Sequence, residues 1–117
     1  MKTRTTSLGR IVVNAGGRTL YLFEKDKRGK SACYGQCAKY WPPLLTRGKP
    51  VAGVGEKAKL LGVTKRKNGT RQVTYAGHPL YRYIFDTRAG QTTGEGSTLF
   101  GGSWDAVAPS GKGIDSD

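Results

Sequence analysis

The sequence predicts a mainly β fold in which two tandem repeats of about 60 residues form one antiparallel β domain. The first observation is a near-duplication, because "GRTLYLFEKD" at 17–26 returns as "GHPLYRYIFD" at 77–86. The second is the eighteen glycines, which are typical of many turns and few long helices. The third is Asn68-Gly69, the strongest short hairpin signal, between two strand-like runs. We therefore expect a single domain over 1–117, with repeat units at about 7–53 and 60–112.

Each predicted element follows from its residues. In the first unit, the strands "RIVV" at 10–13 and "TLYLF" at 19–23 flank the turn "NAGG". The stretch "CYGQCAKYW" at 33–41 is expected to hold at most a short helix, which Pro42-Pro43 would end. In the second unit, three antiparallel strands are expected at 60–66, 71–75 and 80–85. The glycine-rich stretch 89–103 is expected to be a mobile loop.

The two copies align at an offset of 60 residues, which pairs Gly17 with Gly77 and Val13 with Val73. Beyond the motif the register slips, because Trp41 matches Trp104 at an offset of 63. A lone unit of this size buries roughly 60% of the surface that its unfolded chain exposes. Two units packed together are therefore expected.

The repeated motif is predicted to be structural. Side chains alternate faces along a strand, so Tyr81 and Phe85 would share one face, while Leu80, Ile84 and Asp86 would share the other. Within one copy, Tyr and Asp then make a poor acid/base pair, and a contact between the Tyr of one unit and the Asp of the other is left open. The aromatic residues are expected to anchor the core and the aspartates to end the strands. The motif residues are Tyr21, Phe23, Asp26, Tyr81, Tyr83 and Asp86.

Charge favours anionic partners. Twenty Lys and Arg against eight Asp and Glu give a formal net charge of +12, which attracts nucleic acid, acidic lipid headgroups or acidic wall polymers. No nucleic-acid-binding module is recognisable, so nucleic acid is not the expected partner. A phosphate-binding loop and a Ser-His-Asp triad are also missing, and no apolar run approaches the roughly 20 residues of a membrane helix.

The chain resembles the bacterial secreted-repeat lipoproteins that are defined by a Tyr-x-(Phe/Trp/Tyr)-x-x-Asp motif. This resemblance implies an exported, envelope-attached domain, often beside respiratory or redox proteins, with no assigned biochemical function and no catalytic residues to carry over. A signal peptide and a lipidated cysteine are typical of that family, whereas 1–7 is short and polar. The chain as written is therefore either cytosolic or a mature domain whose leader was removed, and the resemblance favours the second. The matching segments are "LYLFEKD", "SACYGQCAKYWPPLL", "KPVAGVGEKAKLLGVTKRKNGTRQVTYAGHPLY" and "GSTLFGGSWDAVAPSGK".

Three residue types remain as candidates for chemistry, namely cysteine, histidine and tryptophan. In an exported protein, Cys33 and Cys37 are expected to form a disulfide, whereas in the cytosol the pair would be reduced. The alternative is a copper site of Cys33, Cys37 and His78, since thiolates and imidazole bind copper. Trp41 and Trp104 are expected to anchor the core or its rim, but if both were exposed they would form an aromatic surface for glycans or quinones.

These observations favour a non-enzymatic, exported cell-envelope or extracellular domain, pinned by a disulfide. Its basic β scaffold would bind an anionic envelope polymer, lipid headgroups or a protein partner, and no cofactor is expected. The alternative is a redox or copper-handling accessory protein, which would use copper at Cys33, Cys37 and His78.

Overall fold

A computed structural model describes residues 1–53, 55 and 57–114 and shows short antiparallel strands with little helix. The mainly β prediction is confirmed. In chain order, the elements are β1 Lys2–Thr6, β2 Gly9–Val13, β3 Tyr21–Phe23, α1 Gln36–Tyr40, β4 Leu61–Lys65, β5 Arg71–Tyr75, β6 His78–Pro79 and β7 Trp104–Ala106. Two 3₁₀ turns, Ala58–Leu60 and Leu99–Gly101, complete the list.

The hairpins form where turn chemistry meets β-branched residues. The predicted run in β2 is strand, and Ile11, Val12 and Val13 are wholly buried. β4 and β5 pair in the predicted hairpin, with Gly69 at a φ of 86° in its loop. β5 then turns into β6 through Ala76 and Gly77, which both have positive φ, the conformation of a two-residue type I′ hairpin turn. The short helix α1 is confirmed and ends ahead of the two prolines.

The two motif strands pair with each other at the centre of the molecule. The backbone N–H of Tyr21 donates to the carbonyl of Tyr81 at 2.8 Å, and the N–H of Tyr81 donates back at 2.9 Å. On the outer side of Tyr21 lies Ala106 of β7, and on the outer side of Tyr81 lies Pro43. The two tyrosines are 60 residues apart and the two flanking residues 63 apart, which are the offsets that relate the two copies of the repeat. Equivalent residues therefore lie on opposite sides of the tyrosine pair, and an approximate two-fold axis passes between the two tyrosines.

The hydrogen bonds correct one detail of the repeat alignment. Val12 accepts from the N–H of Leu20 and donates to a carbonyl in the β7 segment. Val73 accepts from the N–H of Leu80 in the same way and donates to the carbonyl of Leu44. The structural counterpart of Val73 is therefore Val12 and not Val13, because the turn before the first motif is one residue longer than the turn before the second.

The alternation along the motif strands sorts their side chains into two cores, as predicted for the first copy. Tyr21 and Phe23 lie in an aromatic core with Trp41 and Trp104, whereas Leu20 and Leu22 lie in an aliphatic core. The prediction fails past Tyr83, because the strand ends there. Asp86 donates its N–H to the carbonyl of Tyr83, and this turn brings Asp86 back toward the aromatic core. As a result Asp86 is buried, while Ile84 and Phe85 are exposed.

One further predicted element is wrong, and one strand was not predicted. The strand expected over 80–85 is reduced to a bridge at Tyr81. The polar segment Lys2–Thr6 is a strand, because β2 offers it a complete antiparallel register. In the glycine-rich stretch 89–103, backbone hydrogen bonds link Gly96 and Ser97 to Trp104, while the expected mobility of this loop stays a prediction.

Candidate functional site

The first candidate site is the pair of motif tyrosines and aspartates, which are exchanged between the repeats. The hydroxyl of Tyr21 donates to Oδ2 of Asp86 at 2.5 Å. The hydroxyl of Tyr81 donates to Oδ2 of Asp26 at 2.7 Å. Each tyrosine thus binds the aspartate of the other copy, which is the contact between units that the sequence leaves open. The turns after each strand make this possible, since Asp26 bonds back to Phe23 as Asp86 does to Tyr83.

The pair of Tyr21 and Asp86 is buried and forms several hydrogen bonds with other protein groups. Tyr21 is 0% exposed and Asp86 2%. The other carboxylate oxygen of Asp86 accepts from the N–H and the hydroxyl of Thr93, and the Tyr21 hydroxyl accepts from the N–H of Gly94. Asp86 thus accepts three hydrogen bonds from protein donors, and its burial leaves the carboxylate out of reach of a substrate.

The pair of Tyr81 and Asp26 belongs to a wider polar network. Ser31 lies 2.6 Å from the Tyr81 hydroxyl, and Arg66 donates to Ser31 at 3.0 Å. Arg66 is 5% exposed and also donates to Gln72 at 2.8 Å and to the carbonyl of Cys33 at 2.7 Å. Asp26 itself is half-buried and accepts from a backbone N–H at 2.7 Å. The buried guanidinium therefore fastens the β4–β5 hairpin onto the cysteine segment.

The titration of these groups reflects their burial. Desolvation, and then the hydrogen bond to Asp86, raises the pKa of Tyr21 well above its usual value of 10.0. Desolvation, followed by the charge of Asp26, does the same for the pKa of Tyr81. Desolvation also raises the pKa of Asp26, although the Tyr81 hydroxyl and the Arg66 charge act in the opposite direction. Both phenols therefore stay protonated at neutral pH and serve as donors.

Next to these pairs, four rings form one continuous stack. Trp41 and Trp104 lie face to face at 3.9 Å with an interplanar angle of 4°. Trp104 stacks on Phe23 at 3.9 Å, and Trp41 stacks on Tyr83 at 4.1 Å. The tryptophan of each repeat therefore covers the motif aromatic of the other repeat. Trp41 and Trp104 are both 0% exposed, so the aromatic surface hypothesised at these two residues is wrong. The four stacked rings fill the aromatic core, and each of them buries a large apolar area there.

Two adjoining clefts near β5 carry concentrated positive charge. One has a volume of about 500 Å³ and is lined by Leu45, Thr46, Arg47, Gly69, Thr70 and Arg71. The other, of about 580 Å³, is lined by Lys49, Pro50, Ala58, Lys59, Leu61, Gly62, Val63 and Arg71. Arg71 lines both, and none of these lining residues is acidic. We call these two clefts the cationic clefts, and their four cations are Arg47, Lys49, Lys59 and Arg71.

A family described as a secreted repeat of unknown function matches residues 2–45 and 62–108. The chain belongs to this family. The two matches confirm the tandem repeat and the resemblance given above, while the unit bounds 7–53 and 60–112 stay a prediction. No curated protein and no solved structure matches the chain. Among the residues that the structure describes, no helix is long and apolar enough to cross a membrane.

The secreted repeat contains the predicted disulfide. Cys33 and Cys37 are joined, with their Cα atoms 5.2 Å apart, and both lie in the aromatic core. The bond closes the segment that carries α1, directly ahead of Trp41. Its position explains the role of Arg66, which binds the Cys33 carbonyl and holds the closed segment against β4–β5.

The copper alternative stays untested. His78 is half-buried in β6, and its charge lowers the pKa of Asp26. Within 1–53, 55 and 57–114, no three or more His, Cys, Asp or Glu side chains come together in a group that could hold a metal ion. Copper binding at Cys33, Cys37 and His78 would in addition require reduction of the disulfide.

Sequence reasoning missed the buried arginine and the cationic clefts. The run "KRK" at 65–67 has the composition of a solvated charge cluster, but Arg66 is buried while Lys65 and Lys67 are exposed. Strand alternation continuing from the buried Thr64 is the signal that points Arg66 inward. The clefts join residues of 45–50, 58–63 and 69–71, and no local pattern reveals that these segments meet.

Proposed function

We infer that this secreted repeat is a non-enzymatic cell-envelope domain whose cationic clefts bind a phosphate- or carboxylate-bearing envelope polymer. The observation that carries the proposal is the convergence of Arg47, Lys49, Lys59 and Arg71 on two adjoining clefts without an acidic lining residue. Guanidinium and ammonium groups form charge-assisted hydrogen bonds with such anions. The apolar lining residues Leu45, Leu61 and Val63 suit the carbon backbone of a polymer.

The buried pairs support a non-enzymatic role. Tyr21 and Asp86 are closed to solvent, and Asp86 already accepts from three donors. A substrate has no route to these groups without unfolding of the aromatic core. The tyrosines and aspartates that the two copies share therefore join the copies to each other, and recognition is left to the surface.

The test is binding to a soluble polyanion, with polyphosphate and polyglutamate as probes. The triple variant Lys49→Gln, Lys59→Gln, Arg71→Gln is expected to lose most of the affinity. Affinity of the unmodified protein is expected to fall as salt rises from about 50 mM to about 500 mM, because screening weakens exposed charge pairs.

A matched control removes the same number of charges elsewhere. The hairpin tip around the Lys27–Lys30 bridge carries Lys27, Arg28 and Lys30, all exposed and none of them lining the cationic clefts. The variant Lys27→Gln, Arg28→Gln, Lys30→Gln is expected to keep most of the affinity. Equal losses in the two triple variants would mean that net charge alone attracts the polymer, and the proposal would fail.

A further inference from the structure

A second surface of the molecule is apolar. Tyr40 lies between Phe85 and Phe100, with ring centroids 6.0 Å and 5.8 Å away. Ile84 is tied to the same place, since its N–H donates to the carbonyl of Tyr40 at 3.0 Å. We call Tyr40, Ile84, Phe85, Leu99 and Phe100 the aromatic tip. Ile84 is 41% exposed, Phe85 54% and Leu99 48%, which are large values for side chains of this size.

The aromatic tip is held on a rigid base. Phe85 contacts Tyr83 edge to face at 5.4 Å, and Tyr83 ends the buried ring stack. The carbonyl of Leu99 accepts from the indole N–H of Trp104 at 2.9 Å. Phe100 has a φ of 66°, a conformation that is rare for a bulky residue and costs energy. These features hold the tip side chains in contact with solvent, although exposure of apolar side chains to water is unfavourable.

The internal repeat shows that the fold does not require apolar residues here. At the offset of 60, Ile84 and Phe85 correspond to Glu24 and Lys25. At the offset of 63, Leu99 corresponds to Gln36. The first copy forms the same scaffold with polar residues at these positions. At these positions, the exposed apolar side chains therefore belong to the second copy alone and are not required by the fold.

Positive charge borders the aromatic tip. The amino group of Lys25 lies beside Gly101, and its stem lies beside Gly102, next to Phe100. Lys39 is exposed in the last turn of α1, immediately before Tyr40. Glu24 is the acidic neighbour in sequence. Apolar side chains with cations at their rim are the composition of surfaces that bind the interface of an anionic bilayer.

We propose that the aromatic tip inserts Phe85, Leu99 and their neighbours into the headgroup–acyl boundary of an anionic membrane, with Lys25 and Lys39 on the phosphates. The net charge of +12 attracts the protein to such a surface, and the tip supplies the apolar contact that charge alone lacks. Tyr40 is placed between the rings, where its hydroxyl meets the polar layer. The proposal uses residues outside the cationic clefts and holds whether or not those clefts bind a polymer.

The two surfaces are well separated. Residues 40–46 run as an extended segment, bonded first along 80–84 and then along 71–73. Tyr40 of the aromatic tip and Arg47 of the cationic clefts therefore lie at opposite ends of this segment, on the order of 20 Å apart at 3.3 Å per residue. One domain thereby has room for a membrane contact and a polymer contact at the same time.

The test is partition of the full-length protein onto vesicles of phosphatidylcholine with about one third phosphatidylglycerol, followed by co-sedimentation. The variant Phe85→Ser, Leu99→Ser is expected to lower the partition coefficient about tenfold or more. The control is Val51→Ser, because this side chain is 75% exposed and lines neither of the cationic clefts. This control variant is expected to partition within about twofold of the unmodified protein.

A second readout separates insertion from adsorption. In the variant Phe85→Trp, the added tryptophan emission is expected to shift to the blue on anionic vesicles and to be quenched by brominated acyl chains. Equal loss in the tip variant and the control variant, no loss in either, or adsorption without quenching would each overturn the proposal. A tip-dependent dimer that does not bind vesicles would overturn it as well. Failure of polyphosphate binding would leave this result untouched, since the two tests use different residues and probes.

Discussion

If the repeats are locked together through exchanged Tyr–Asp pairs, the free energy of unfolding should show coupling between copies and not within them. The perturbations are Tyr21→Phe and Asp86→Asn, alone and together, in a double-mutant cycle. The phenol of Tyr21 donates to a buried carboxylate at 2.5 Å and accepts from the N–H of Gly94 at 3.2 Å. A hydrogen bond to a charged group contributes about 1.5–3 kcal/mol, and an orphaned buried N–H costs about 1–3 kcal/mol.

Tyr21→Phe is therefore expected to cost about 2–4 kcal/mol, a large part of the stability of a small domain. Tyr81→Phe is expected to cost less, about 1–2 kcal/mol, because Asp26 is half-buried and water replaces the lost donor. The assay is urea unfolding at pH 7, followed by circular dichroism and analysed with a common slope.

The cycle of Tyr21 with Asp86 should give a coupling energy of about 2 kcal/mol, and the matched cycle of Tyr21 with Asp26 should give less than about 0.5 kcal/mol. The second cycle uses the same types of substitution on the aspartate of the same copy. Coupling that is equal in the two cycles, or larger within one copy, would refute the exchange of partners.

Three further predictions rest on single features. Gly94→Ala should destabilise by about 1–3 kcal/mol, because an added Cβ would lie 2.7 Å from the Trp41 ring; a melting temperature within a degree of the unmodified protein would count against this close approach. Replacing Cys33 and Cys37 by Ser should lower the free energy of unfolding, measured with urea, by about 2 kcal/mol, which is the loop-closure entropy of so short a loop. The reduction potential of the disulfide should lie below about −300 mV, because both residues are in the core. Desolvation holds the pKa of Asp26 above 3.8; the folded state thus binds this proton more tightly than the unfolded state does, and the resulting stabilisation is complete below 3.8 and lost as the pH rises through the folded pKa. NMR titration should find that Tyr81→Phe raises the Asp26 pKa further, since the lost hydrogen bond favours the carboxylate; a lower pKa would contradict this.

The sequence predicts those parts of the fold that depend on local patterns. The run Ile11–Val13 has the β-branched residues of a buried strand, and Asn68-Gly69 has the turn chemistry of a hairpin, so both elements follow from short segments. The duplication itself is visible because Tyr, aromatic and Asp return at fixed spacing. The disulfide follows from the expectation of export, and the second match of the family agrees with the second motif.

The parts that could not be predicted depend on contacts between distant segments. The strand expected past Tyr83 does not form, because Asp86 gains more from its buried bonds to Tyr21 and Thr93 than from continuing the ladder. The polar β1 becomes a strand only because β2 is beside it. Arg66 is buried because Ser31, Gln72 and a carbonyl converge on it, and these partners lie in two different segments.

The central claim is that the two copies form one interlocked unit, and fragment complementation tests it most directly. Fragments 1–55 and 56–117 each carry one complete motif, but each lacks the tyrosine and aspartate that its own motif binds. Each fragment alone is expected to lack a cooperative unfolding transition, and an equimolar mixture is expected to regain it together with the near-ultraviolet circular dichroism of the stacked tryptophans. A fragment that folds cooperatively by itself, or a mixture that stays unfolded, would contradict the interlocked arrangement.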